Sequence, residues 1–132
     1  MIFSKLNPKL TKALDKLAIT QPTEIQQEAI PVILDGQDVM ASAETGSGKT
    51  AAFLLPILDK LLETPHADTG TRVLILAPTR ELARQIHKEA QNLAQFTAIE
   101  SGLITGGDSY KFQRAMLRKN PEIVVATPGR IL

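Results

Sequence analysis

The segment AETGSGKT at residues 43–50 constrains this chain more than any other stretch of it. It lies between a short apolar run, DVMAS, and a longer apolar stretch, AAFLLPILDKLL. Its spacing follows G-x-x-x-x-G-K-[ST], a loop whose backbone N–H groups converge on phosphate oxygens. Ala43 takes the first glycine's place, and Gly48, Lys49 and Thr50 match the rest. Glu44, Thr45, Gly46 and Ser47 fill the loop, Gly46 adding a second flexible residue. A strand before the loop and a helix after it would aim the helix's positive end at the bound anion. Lys49 then supplies a charge for the outer phosphates, and the Thr50 hydroxyl is placed to ligate Mg²⁺. The competing reading is a glycine-rich turn with an exposed lysine. The strand-then-helix context favours the phosphate loop.

The rest of the chain supplies that context. Residues 38–43 have the length and apolar character of a buried strand. A helix is expected over about 48–62, with Pro56 kinking or breaking it. Further strands are expected at 72–77, 98–105 and 122–126, with one helix marked by Leu82, Ile86, Ala90 and Leu93 and another at 108–119, the latter capped by Asp108 or Ser109. A last helix could begin within 129–132. Residues 1–36 read as a helical preface: one helix from Asn7-Pro8, a second from Pro22, and a further short piece at 31–34. Strands that are apolar on both faces and alternate with helices imply an α/β fold. Its sheet is parallel and open, with helices on both faces. One domain is expected over 1–132, the phosphate loop and sheet occupying 37–132.

Composition narrows the function classes. The chain has 132 residues and no cysteine, which excludes a disulfide scaffold and a thiolate zinc site. Its formal net charge is +1, so any nucleic-acid surface must be local. No apolar run approaches membrane length, and the first residues lack a signal-peptide pattern, so no membrane association and a cytoplasmic location are expected. A phosphate loop alone leaves the reaction open. No Asn-Lys-x-Asp stretch that would identify guanine is present.

Five segments, the phosphate loop among them, narrow it. AITQPTEIQ, with Pro22, Thr23, Ile25 and Gln26, has the spacing of the Q motif of DEAD-box RNA helicases. AETGSGKT resembles that family's motif I, in which alanine commonly stands first. PTRELA at 78–83 resembles motif Ia, Gly106-Gly107 its GG element, and TPGR at 127–130 motif Ib. The elements occur in the family's order, and the resemblance runs from Phe3 to the last residue.

The resemblance implies a P-loop NTPase domain of RecA-like fold with ATP and Mg²⁺ as cofactors. By analogy Gln26 would pair with the adenine edge, since an amide offers both a donor and an acceptor. Thr23 and Ile19 would stand near it. Two positions depart from the pattern: Ala18 where glycine is usual, and Ile19 where an aromatic is common. Phe3 is the candidate for an upstream aromatic at the base, or else it caps the first helix against the core. Pro78, Thr79 and Arg80, Gly106 and Gly107, and Thr127, Pro128, Gly129 and Arg130 would grip the sugar-phosphate backbone of single-stranded RNA, the expected partner being single-stranded or duplex RNA. Such contacts are sequence-tolerant. Arg80 has an alternative, an ion pair with Glu81 or Glu44.

The resemblance also implies what the chain lacks. The acidic box, the Ser-Ala-Thr element and the second RecA-like domain are expected outside it, making it a truncated first domain. The parent would be an ATP-dependent RNA helicase, while this chain alone would be inactive in hydrolysis. A non-catalytic ATP- or RNA-binding module is the alternative. Sheet edges left unpaired would favour marginal stability or self-association between two copies.

Overall fold

The computed structural model describes residues 2–41, 48–64, 70–106 and 109–128. They form two compact units, one from residues 1–65 and 92–98, the other from 66–91 and 99–132.

The first unit is helical. A 3-10 turn, Ile2–Lys5, leads into α1, Pro8–Lys16. The Asn7 side chain accepts from the Lys9 N–H and caps α1, with Pro8 in the first turn, where no N–H is missed. Leu10, Ala13 and Leu14 form its buried stripe. Helix α1 ends with Ala18 in the left-handed region at φ +61°. The Ile19 N–H reaches the Leu14 carbonyl, and the Ala18 N–H that of Asp15. This is the Schellman closure that usually employs glycine.

Helix α2, Glu24–Leu34, starts two residues after the expected Pro22, because Thr23 caps it. It also runs through Pro31, where a separate helical piece was expected. The proline removes one backbone hydrogen bond, and the turns on either side survive it. Helix α3, Lys49–Glu63, likewise continues through Pro56, which is fully buried. Its buried leucines, Leu54, Leu55, Leu58 and Leu61, and its packing on α2 outweigh the lost bond. The buried Asp59 of α3 accepts from the Asn7 N–H at 2.7 Å, tying the start of α1 to α3.

The strand expected at 38–43 is not formed over its described part. Residues 37–41 carry no regular structure, and the Met40 side chain is fully exposed. A strand is held by its neighbour's backbone, and the first unit contains no described strand to pair with. Residues 42 and 43 lie outside the described residues.

The second unit holds the sheet. Strands β1 (Val73–Leu76), β2 (Ser101–Ile104) and β3 (Ile123–Ala126) are all parallel, in the order β1-β3-β2. Between them run α4, Arg80–Leu93, and α5, Tyr110–Leu117, the crossovers that parallel pairing needs. Ser109 caps α5, its hydroxyl accepting from the Phe112 N–H; Asp108, the other candidate, lies outside the described residues. Central β3 is buried throughout, as a strand covered on both faces should be. Edge strand β1 departs from that expectation: Leu74 and Leu76 are 52% and 51% exposed, while Ile75 between them is buried. Met116 of α5 packs on Ile104, Val124 and Ala126. It leaves no room for a side chain at residue 102, where an added Cβ would overlap its sulfur.

Candidate nucleotide and nucleic-acid sites

The nucleotide candidates that fall in the described residues lie in the first unit. Thr23 and Gln26 form a reciprocal cap at the start of α2. The Gln26 N–H reaches the Thr23 hydroxyl at 3.4 Å, and the Thr23 N–H donates to Gln26 Oε1 at 3.0 Å. The other end of the same amide, Nε2, donates to the Gly48 carbonyl at 3.1 Å. Gln26 is 3% exposed, so its side chain is a buried bridge from α2 to the start of α3. Gly48 sits at φ +82°, and an added Cβ would run into Gln26 Nε2 and come within 2.9 Å of Thr23 Oγ1. Only glycine fits both the turn and the contact.

Gly48 stands at the N-cap of α3 in the left-handed region and, having no side chain, makes no side-chain cap hydrogen bond. Lys49 is exposed and Thr50 half-buried in the first turn of that helix. Ala43, Glu44, Thr45, Gly46 and Ser47 lie outside the described residues. Ile19 is half-buried just beyond the α1 closure. Phe3 is 6% exposed, which is the core-capping alternative for this residue. An open pocket of about 540 Å³ lies beside the Q-motif turn, lined by Ile2, Lys5, Gln21, Pro22 and Gln27.

The nucleic-acid candidates lie in the second unit, at one edge of its sheet. Leu76, Ala126 and Ile104 are aligned in register at the carboxyl ends of β1, β3 and β2. The segments that follow must leave the sheet side by side, about 5 Å apart from strand to strand. Pro78, Thr79 and Arg80 follow β1, Thr127 and Pro128 follow the central β3, and Gly106 follows β2. Pro78, Thr79, Arg80 and Gly106 are exposed, and Thr127 is half-buried. The Thr79 hydroxyl accepts from the Leu82 N–H at 3.1 Å, so it caps α4 as well as facing outward. The backbone at Gly106 borders open space. Gly107, Gly129 and Arg130 lie outside the described residues.

Two supports of this edge were not evident in the sequence. Gln113 of α5 is buried and donates to the Thr105 carbonyl at 2.5 Å, holding the end of β2. His87 Nε2 pairs with the Ser101 carbonyl at 3.1 Å, which fixes that nitrogen as the donor and α4 beside β2. Both contacts join residues that are distant in sequence, so no local pattern announces them.

The model of the DEAD/DEAH box helicase family matches residues 23–132. This chain belongs to that family. DEAD/DEAH box relatives include the DEAD-box ATP-dependent RNA helicase 28 of Arabidopsis thaliana, 57% identical over 127 residues. That match covers 96% of this chain and 16% of the relative. The ATP-dependent RNA helicase SrmB of Haemophilus influenzae is 51% identical over 128 residues, covering 96% of this chain and 29% of the relative. Among solved structures, the RNA helicase Prp28 of Chaetomium thermophilum bound to ADP superposes with a TM-score of 0.88 at 44% identity. It covers 97% of this chain and 32% of that one. The fold of this DEAD/DEAH box chain is therefore the expected RecA-like α/β architecture, represented in part. The chain spans less than a third of the length of the curated relatives it matches.

Proposed function

We propose that this chain is the adenine- and phosphate-binding part of an ATP-dependent RNA helicase, together with part of its RNA path. One observation carries the reading: the Gln26 amide is joined to Gly48, the residue that opens the phosphate-loop helix. A single buried side chain thus links the group proposed to read the base with the loop proposed to hold the phosphates.

The residues divide the work. Gln26, steadied by Thr23, presents an amide to an adenine edge, with Ile19 nearby. The loop residues Ala43, Glu44, Thr45, Gly46, Ser47 and Gly48 enclose the phosphates. Lys49 balances their charge. Thr50 suits Mg²⁺ as one hydroxyl ligand in the first turn of α3. Among the described residues no group of three or more acidic or histidine side chains forms a metal cage. Phosphate oxygens and water are the natural remaining ligands of such an ion. When bound, the ion would neutralise phosphate charge. Hydrolysis and unwinding are assigned to the whole protein, with this chain binding and orienting.

RNA would cross the edge where Pro78, Thr79, Arg80, Gly106, Thr127 and Pro128 follow the strands, with Gly107, Gly129 and Arg130 proposed to take part. Arg80 and Arg130 would meet phosphates, and the strand-end backbone would follow sugar and phosphate without reading bases. No described helix is long and apolar enough to cross a membrane. A cytoplasmic site of action is part of this proposal.

The test is a titration of labelled single-stranded RNA, and of DNA of the same sequence, onto the chain at two salt concentrations. The expected result is salt-sensitive binding, favouring RNA and indifferent to base sequence. Arg80→Ala should weaken it about threefold to tenfold, the loss of one charge-assisted contact. Equal binding of the two strands, or no effect of Arg80→Ala, contradicts the RNA assignment.

A further inference from the structure

The formal net charge of the chain is +1, yet residues 109–121 carry Lys111, Arg114, Arg118 and Lys119 and no acidic side chain. Without those four the chain would be net negative. The positive excess is therefore gathered on α5 and just after it, and all four side chains are exposed. A helix dipole favours cations at the carboxyl end, which accounts for Arg118 and Lys119. Lys111 stands in the first turn, where the same dipole opposes a cation. Helix stability gives no reason for it.

Aromatic side chains gather there too. Of the five in the chain, Phe3 is buried, and Phe53 and Phe96 are half-buried. The exposed two, Tyr110 at 60% and Phe112 at 58%, both stand in the first turn of α5. That turn adjoins the strand-end edge, because Gln113 is tied to the Thr105 carbonyl at the end of β2.

The helix sorts these residues into faces. At about 100° per residue, Tyr110, Lys111, Arg114 and Arg118 fall within one arc of about 100°. Gln113 is buried and Met116 packs on the sheet, both away from that arc. Phe112 lies about 200° round from Tyr110, off the arc. One stripe thus runs about 12 Å down α5, with an aromatic ring at its head and three cations behind it.

We infer that this stripe carries single-stranded RNA onward from the strand-end edge, Tyr110 stacking on an unpaired base and Lys111, Arg114 and Arg118 meeting successive phosphates. The inference rests on the RNA reading above and extends that path by a second surface. A basic stripe without acids complements a polyanion, and a flat ring beside the cations suits one whose bases can stack. Every base has a π-face, so this contact tolerates any sequence, as the backbone contacts of the edge do.

Titrations of labelled single-stranded RNA and of inorganic polyphosphate, which has the charge but no bases, test this. Melting curves establish that each variant is folded. Tyr110→Ala should weaken RNA about fivefold to a hundredfold and leave polyphosphate unchanged, and Tyr110→Phe should keep RNA affinity. Phe112→Ser, equally exposed but off the stripe, should hold RNA affinity within about twofold. Lys111→Gln, Arg114→Gln and Arg118→Gln combined should lower the slope of log affinity against log salt by about two, three phosphate contacts at about 0.7 each. Unchanged salt dependence in that triple variant, or equal losses in Tyr110→Ala and Phe112→Ser, overturns the stripe. So does a loss in Tyr110→Ala that is the same for polyphosphate as for RNA. Arg80→Ala separates the two readings: if it weakens RNA while the stripe variants do not, the edge stands and the stripe falls. If the unaltered chain binds no RNA, both fall.

Discussion

Gln26 Nε2 donates to the Gly48 carbonyl at 3.1 Å, while Oε1 of the same side chain accepts from the Thr23 N–H at 3.0 Å. One amide thus closes the start of α2 and holds the start of α3. Gln26→Glu separates these roles. A carboxylate still accepts from Thr23, but it cannot donate to Gly48 and sets a negative charge against its carbonyl. The expected outcome is a retained helix start, with ADP affinity lowered about tenfold to a hundredfold, the range for a lost buried hydrogen bond. Circular dichroism and an ADP titration check the two halves.

Gly48→Ala attacks the same junction from the other side. The left-handed backbone costs about 1–2 kcal/mol for a residue with a Cβ. The new methyl group would also displace the Gln26 amide. A lowered melting temperature together with lost ADP binding is expected. A variant that melts and binds like the parent would show that the bridge is dispensable.

Ala18 and Gly36 occupy equivalent places after α1 and α2, at φ +61° and +83°. Gly36 meets that geometry without strain, and Ala18 does not. Ala18→Gly should therefore stabilise the chain by about 1 kcal/mol, and Ala18→Val should destabilise it. Urea unfolding at equilibrium reads both signs.

Leu74 and Leu76 are half-exposed on edge strand β1. An open edge with apolar side chains invites a second copy. Size-exclusion chromatography with light scattering should show association that grows with concentration. Leu74→Lys with Leu76→Lys should shift it toward monomer. A parent chain that stays monomeric and melts cooperatively at every concentration would contradict this.

The parallel sheet, its crossover helices and the segments at its carboxyl edge could all be read from alternating apolar runs and glycine or proline punctuation. What could not be read depended on partners. Residues 38–41 have a strand's composition, yet composition cannot supply a neighbouring backbone. Pro31 was expected to begin a separate piece and Pro56 to kink or break its helix; neither helix is broken, and packing of α2 on α3 outweighs the one lost bond. The run VLIL does not disclose that Leu74 and Leu76 share an open face, because an unbroken apolar run has no period. The T-x-x-Q spacing of Thr23 and Gln26 is a legible cap, but the bridge to Gly48 crosses 22 residues of sequence.

The most direct test of the account is calorimetric titration of the chain with ADP and separately with GDP, in the presence of Mg²⁺. The account predicts that ADP binds at least about tenfold more tightly than GDP, as a site built around one hydrogen-bonding edge should discriminate. It also predicts that Lys49→Ala abolishes binding and that Gln26→Ala erases the preference. Equal affinity for the two nucleotides, or a preference that survives Gln26→Ala, would contradict the claim that Gln26 joins base recognition to the phosphate loop.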